Sequence, residues 1–185
     1  AGSDASNLRT RAELRGNHYV INGSKQFITS GASADIALIF GVTDPDSGKR
    51  GISAFIASTD SPGYKVVTKE EKLGQRASDT CQLSFEDLEV FPDMVLGELG
   101  QGYRIALSNL EGGRIGIGAQ ALGIARAAYE AALSYAKERE SMGRPIIGHQ
   151  AVAFRLADMA TKIDVARQMI WHAAALKDSG RPALK

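Results

Sequence analysis

Residues 81–110 read CQLSFEDLEV FPDMVLGELG QGYRIALSNL, and the hydrophobic period changes inside them. Cys81 to Phe85 alternates as a strand does. Phe91-Pro92 closes that pattern, and Gly100 to Leu110 then carries Tyr103, Ala106, Leu107 and Leu110 at helical spacing. The residues before the switch read as β structure and those after it as helix. The expected fold class is therefore α+β, with an antiparallel β-barrel or sandwich over 1–92 followed by part of a helical bundle over 93–185.

Upstream, Tyr19 to Lys25 is a β-rich run holding Asn22-Gly23, a strong hairpin signal, with Phe27-Ile28-Thr29 as a short second strand. Ala34 to Val42, Gly51 to Ala57 and Tyr64 to Val67 are further strands, separated by turn chemistry at 44–49 and at Ser61-Pro62-Gly63. Downstream, Glu111-Gly112-Gly113 is expected to interrupt the helical pattern, which resumes from Ile115 to Arg139. Met142-Gly143-Arg144-Pro145 breaks it, and a last helix runs from about His149 to Lys177. These helices are rich in small residues and lack enough partners to bury both faces. A missing C-terminal part, or a partner subunit, is the expectation, and the start at Ala1 rather than Met points to a fragment.

The 185 residues include 22 basic and 21 acidic side chains, a net charge of +1. The half before the switch carries −2 and the half after it +3, too little in either to indicate nucleic acid or a membrane surface. Hydrophobic residues at 44% fit a globular chain with a real core. The single cysteine, Cys81, excludes an intramolecular disulfide, and no Cys/His cluster offers a metal site. No apolar stretch approaches the roughly 20 residues that span a bilayer.

Gly116-Ile117-Gly118-Ala119-Gln120-Ala121 matches a dinucleotide-binding pattern, but no strand precedes it and its glycines sit in a helical period. Close helix approach explains it better. His18, His149 and His172 are scattered, and Cys81 reads as a small buried hydrophobe.

Several segments ask for more than a generic fold. They are Gly2-Ser3-Asp4, Gln26 to Gly31, Lys72-Leu73-Gly74-Gln75-Arg76-Ala77-Ser78-Asp79-Thr80, Leu110 to Arg114, Arg139 to Pro145 with Gln150, and Leu156 to Ala160. In that set and order they resemble the acyl-CoA dehydrogenase family. Its Trp-Ile-Thr segment is similar to Phe27-Ile28-Thr29, its Lys-x-Gly-x-Arg-x-Ser-x-Thr segment to Lys72 through Thr80, and its Arg-x-x-Phe-Gly turn to Arg139 through Gly143, with Met142 in place of Phe. The resemblance covers essentially the whole chain. It implies the family's middle β-domain plus the first helices of its C-terminal domain.

The resemblance further implies FAD as cofactor and α,β-dehydrogenation of an acyl-CoA thioester. A carboxylate removes the α-proton and the β-hydride passes to the flavin. Cofactor binding then falls to Ser3, Phe27, Ile28, Thr29, Arg139 and Gln150, and substrate binding to Ser3, Glu111 and Arg114. Thr29 is implied to hydrogen-bond the flavin, Phe27 to pack near its ring, and Arg139 and Gln150 to reach the FAD of a neighbouring subunit. An acyl-CoA substrate, an electron-transfer flavoprotein as acceptor and a homodimer or homotetramer follow, in a bacterial cytoplasm or a mitochondrial matrix, without nucleic acid or membrane insertion.

The catalytic base is expected beyond Lys185. In a minority of the family it lies on the long helix just before the Arg that Arg114 matches, a position held here by Gly113. Glu111 is two residues earlier, about 200° round a helix, and is not assigned as base. The 185-residue piece alone is expected to be inactive. The alternatives are an acyl-CoA oxidase or nitroalkane-oxidase-like relative on the same fold, or a non-enzymatic interaction module.

Overall fold

The computed structural model describes residues 2 and 4–183. Its contacts divide the chain into two units, 1–108 and 109–185.

The first unit is one six-stranded sheet. Its strands are β1 (Arg11–Arg15), β2 (His18–Thr29), β3 (Ile36–Val42), β4 (Ile52–Ser58), β5 (Tyr64–Lys69) and β6 (Thr80–Val90), in the order β4-β3-β1-β2-β6-β5. All neighbours are antiparallel except β1 and β3, which run parallel. The α+β class holds, but the sheet is open rather than a closed barrel. Part of the reason lies at the β4 edge. The chain beyond β6 returns along that edge, bridging Phe55 with Val95 and donating Leu96 N–H to the Ala54 carbonyl at 2.9 Å. Those edge groups are therefore used without closure.

The core gathers Ile21, Ile39, Phe55, Leu83 and Leu88, each no more than 2% exposed. Phe55 has no exposed surface, and truncating such a phenylalanine to Ala costs about 3–5 kcal/mol.

The hairpin expected at Asn22-Gly23 is not there. β2 runs straight through it, and the turn lies earlier, at Gly16-Asn17, between paired Arg15 and His18. Gly16 has φ 63 and Asn17 does not share the positive φ, which suits a two-residue hairpin with Gly first. Gly23 serves a different need. A Cβ there would lie 2.9 Å from the Thr10 Cα, so a second backbone crosses where a side chain would stand. Phe27-Ile28-Thr29 is likewise the end of β2, not a separate strand.

Helix α1 spans Gly102–Glu138 without a break, and the division between the units falls within it. The interruption expected at Glu111-Gly112-Gly113 is absent, because a helix carries internal glycine at about 1 kcal/mol each. Gly112 also stands where a Cβ would strike the Lys177 Nζ. In the second unit a small hairpin follows α1, with strands β7 (Glu140–Ser141) and β8 (Arg144–Pro145). Its two turn residues, Met142 and Gly143, have φ 54 and 75. Helix α2 then spans Gln150–Asp178. The rejected glycine run lies wholly inside α1, where Gly118 faces Ile170 of α2.

Candidate functional site

In the first unit, the chemistry collects at the C-terminal end of β2. Between the pairs Lys25↔Leu83 and Ile28↔Cys81, β2 spends one residue more than β6, which makes a bulge at Gln26-Phe27. Phe27 sits there at φ 58, a strained setting for a bulky residue, and its side chain is 69% exposed. The bulge thus turns an aromatic ring outward from a strand whose earlier apolar residues, Tyr19, Val20 and Ile21, are buried. Phe27 and Ile28 line a cavity of about 720 Å³ together with Leu38 and Phe40. Thr29 is not in that lining. It stands exposed at the strand end opposite Thr80, and its hydroxyl has no hydrogen bond among the described residues.

Lys25 was not singled out from sequence, yet it shares this cavity wall. Its Nζ donates to the Phe40 carbonyl at 2.7 Å. Burial pushes its ammonium down to about 8. In sequence Lys25 stands between Ser24 and Gln26, so nothing local signalled its burial.

Asp79 was also missed. It is 7% exposed, accepts the Ala32 N–H at 2.9 Å and the Ser33 hydroxyl at 2.5 Å, and is held at about 2, chiefly by the Ser33 bond. The Cys81 thiol lies 3.3 Å from the same carboxylate. Cys81 is fully buried, and burial raises its pKa, so it is the inert hydrophobe expected. Ser3 lies outside the described residues.

In the second unit, Glu111 and Arg114 both line a cavity of about 230 Å³ between α1 and α2, with Ile115, Met169 and Ile170. They are three residues apart on an unbroken helix and so share a face. Gly113 leaves open space where a side chain would begin.

Arg139 and Gln150 bracket the β7–β8 hairpin, and both are exposed. The guanidinium of Arg139 has no hydrogen bond among the described residues, while its carbonyl accepts the Ile146 N–H at 2.8 Å. His149, just before Gln150, fastens the hairpin. Arg144 donates to its Nδ1 at 3.1 Å, so the proton must sit on Nε2, which donates to the Ser141 carbonyl at 3.1 Å.

Comparison with known proteins matches both units. Residues 1–88 fit the family model of the acyl-CoA dehydrogenase middle domain, and residues 100–185 that of the acyl-CoA dehydrogenase C-terminal domain. An acyl-CoA dehydrogenase of Bacillus subtilis is 51% identical over 97% of this chain and 48% of its own length. The mitochondrial short/branched chain specific acyl-CoA dehydrogenase of Rattus norvegicus is 44% identical over 100% of this chain and 43% of its own. The solved butyryl-CoA dehydrogenase of Megasphaera elsdenii superposes with a TM-score of 0.94 at 45% identity, covering 98% of this chain and 48% of that one. The chain spans about half the length of the relatives it matches. Open sheet, helix pair and motif order thus come from one ancestry, and the chain belongs to the acyl-CoA dehydrogenase family.

Proposed function

We propose that the whole protein is an FAD-dependent acyl-CoA dehydrogenase that removes hydrogen from the α and β carbons of an acyl-CoA thioester. The observation that carries this reading is the outward Phe27 ring on a strained bulge, with a Thr29 hydroxyl two residues on that has no hydrogen bond among the described residues. The residues fit a flavin on that ground. The ring needs an apolar wall and a donor at its edge, and the end of β2 offers both beside a cavity of about 720 Å³. Bound FAD supplies the acceptor for the β-hydride.

This chain's own part is placement. Phe27 and Ile28 give the ring a dry surface, and Thr29 donates to its edge near N5. Ser3 meets FAD and acyl-CoA together. Arg139 offers a fork suited to pyrophosphate and Gln150 an amide for adenine or ribose, both toward the FAD of a neighbouring copy. Glu111 and Arg114 hold the acyl-CoA. The carboxylate that takes the α-proton lies beyond Lys185. The boundary at 92/93 separates the flavin-facing β-domain from the helices that join copies into a dimer or a dimer of dimers. An electron-transfer flavoprotein accepts the electrons. The whole protein works in a bacterial cytoplasm or a mitochondrial matrix, a reading supported by relatives from Bacillus subtilis and from rat mitochondria.

The dehydrogenase reading stands ahead of the oxidase one because relatives at 44–51% identity carry dehydrogenase names. The test is purification of the full-length protein with FAD, followed by anaerobic titration with butyryl-, isovaleryl- and octanoyl-CoA. A yellow protein bleached by one of them is expected. A protein that stays colourless after reconstitution sinks the reading, and rapid reoxidation by oxygen moves it to the oxidases.

A further inference from the structure

Thr29 is the last residue of β2, and the chain reverses directly after it. Ser30 takes φ 59, and its carbonyl accepts the Ala34 N–H at 3.0 Å. The Ser33 N–H donates to the same carbonyl at 3.3 Å, and both bonds stay within the reversal, so neither ties it to the sheet. That anchoring comes from Asp79, just before β6, and from β5. The Asp79 carbonyl accepts the Ser30 N–H at 3.0 Å, and its carboxylate takes the Ala32 N–H and the Ser33 hydroxyl. The buried Tyr64 hydroxyl donates to the Gly31 carbonyl at 2.9 Å. Gly31 lies so close to β6 that a Cβ there would sit 2.8 Å from the Cys81 Cβ.

None of the ion pairs among the described residues includes Asp79. Its buried charge is held by hydrogen-bond donors alone. A carboxylate suits that post because it accepts on both oxygens, whereas an amide would offer one acceptor and would need the Ser33 hydroxyl to turn from donor to acceptor.

We propose that Asp79 is the positioning residue of the flavin-facing strand end: by holding Ala32 and Ser33, it fixes the chain reversal after Thr29 and so the direction in which the Thr29 hydroxyl is presented. The inference rests on the reading of Thr29 as a flavin donor. Asp79 touches neither cofactor nor substrate and acts through the reversal.

The experiment uses the full-length protein loaded with FAD and compares Thr29→Ala, Asp79→Asn, Ser33→Ala and the Thr29→Ala/Asp79→Asn double variant. The flavin absorption spectrum and the FAD dissociation constant are read beside the melting temperature. Thr29→Ala is expected to shift the flavin bands, and Asp79→Asn to shift them in the same sense while weakening FAD about three- to tenfold. The double variant should shift them no further than Thr29→Ala alone. Ser33→Ala removes one donor and keeps the carboxylate; it should give a smaller shift of the same sign, and it stands in if Asp79→Asn does not fold. A lowered melting temperature with unmoved flavin bands in both Asp79→Asn and Ser33→Ala, while Thr29→Ala moves them, overturns the inference and leaves the Thr29 reading intact. Unmoved bands in Thr29→Ala overturn the reading of Thr29 and this inference with it.

Discussion

Asn22 on β2 and Asp87 on β6 exchange two hydrogen bonds: the Asn22 Oδ1 accepts the Asp87 N–H at 2.9 Å, and its Nδ2 donates to the Asp87 Oδ1 at 3.0 Å. Asp87 has φ 49 and stands at a register shift where β6 spends one residue more than β2. The side chain of Asn22 thus replaces the ladder bond that the bulge removes. Asn22→Ala is expected to destabilise the protein by about 0.5–1.5 kcal/mol, read as a lower urea midpoint at unchanged m. Asn22→Asp should do similar harm, since it loses the amide donor and sets two carboxylates side by side.

That bulge shows how much of the fold the sequence carried. Cys81, Leu83 and Phe85 are buried on odd positions, and Leu88 and Val90 on even ones. The change of parity is printed in the chain, and a bulge is what restores the inward face. The switch from alternation to helical spacing after Phe91-Pro92 was equally legible, because it depends on local periods. Gly112-Gly113 misled because helix propensity is a weak local prior, and α1 runs through both. Asn22-Gly23 misled because its glycine answers to Thr10, a neighbour brought in by tertiary packing. The candidate site divides the same way. Phe27, Thr29, Arg139 and Gln150 could be named from motif order, whereas the strain at Phe27 and the Ser33–Asp79 bond arise only once β2 and β6 are paired.

Lys25 should leave a mark on stability at alkaline pH. Burial lowers it from 10.5 to about 8, so between those values the unfolded chain holds a proton that the folded chain has lost. Stability then rises with pH through that window and levels off above it. Urea titrations of the apoprotein from pH 7 to 11 should show the rise, and Lys25→Met should flatten it. An equal slope in both proteins excludes Lys25 as its source.

Asp79 acts at the acid end. Its carboxyl is lowered from 3.8 to about 2 by the bonds from Ser33 and Ala32. The unfolded chain therefore takes up the proton first, and the stability that these bonds give is complete above about pH 4 and drains away as pH falls toward 2. Asp79→Asn should be less stable than the parent at pH 6, with the difference narrowing by pH 2. A constant difference across that range means that the carboxylate charge plays no part.

Arg139 is exposed and its guanidinium has no hydrogen bond among the described residues, so its removal should cost the fold little and the cofactor much. In the full-length protein Arg139→Ala is expected to raise the FAD dissociation constant about tenfold or more, the loss of a charge-assisted bond. Turnover of the FAD-saturated enzyme should fall far less, and the melting temperature of the apoprotein should stay put. Arg139→Lys keeps the charge but loses the fork and should recover only part of the affinity. An unchanged dissociation constant in Arg139→Ala removes the assigned role. If the full-length protein is strictly monomeric with FAD bound, by sedimentation, the role in a neighbouring subunit falls.

Among the described residues Glu111 is the one carboxylate that lines the cavity beside Arg114, which makes it the natural suspect for the base, and the geometry argues against it. The family resemblance puts the alternative base position on this helix at Gly113, and α1 is unbroken through both residues, so Glu111 points about 200° away from it. Nothing stands within 4 Å of where a Gly113 side chain would begin, so the position is vacant for want of a side chain and not for want of room. Glu111 shares its face with Arg114 instead, three residues on. Loss of a general base costs about 10²–10⁴-fold in turnover. Glu111→Gln in the full-length enzyme is therefore expected to keep kcat within about tenfold, with its larger effect on KM, and Arg114→Ala to raise KM further. A drop in kcat beyond about a hundredfold in Glu111→Gln, with FAD still bound, would place the base on α1 after all.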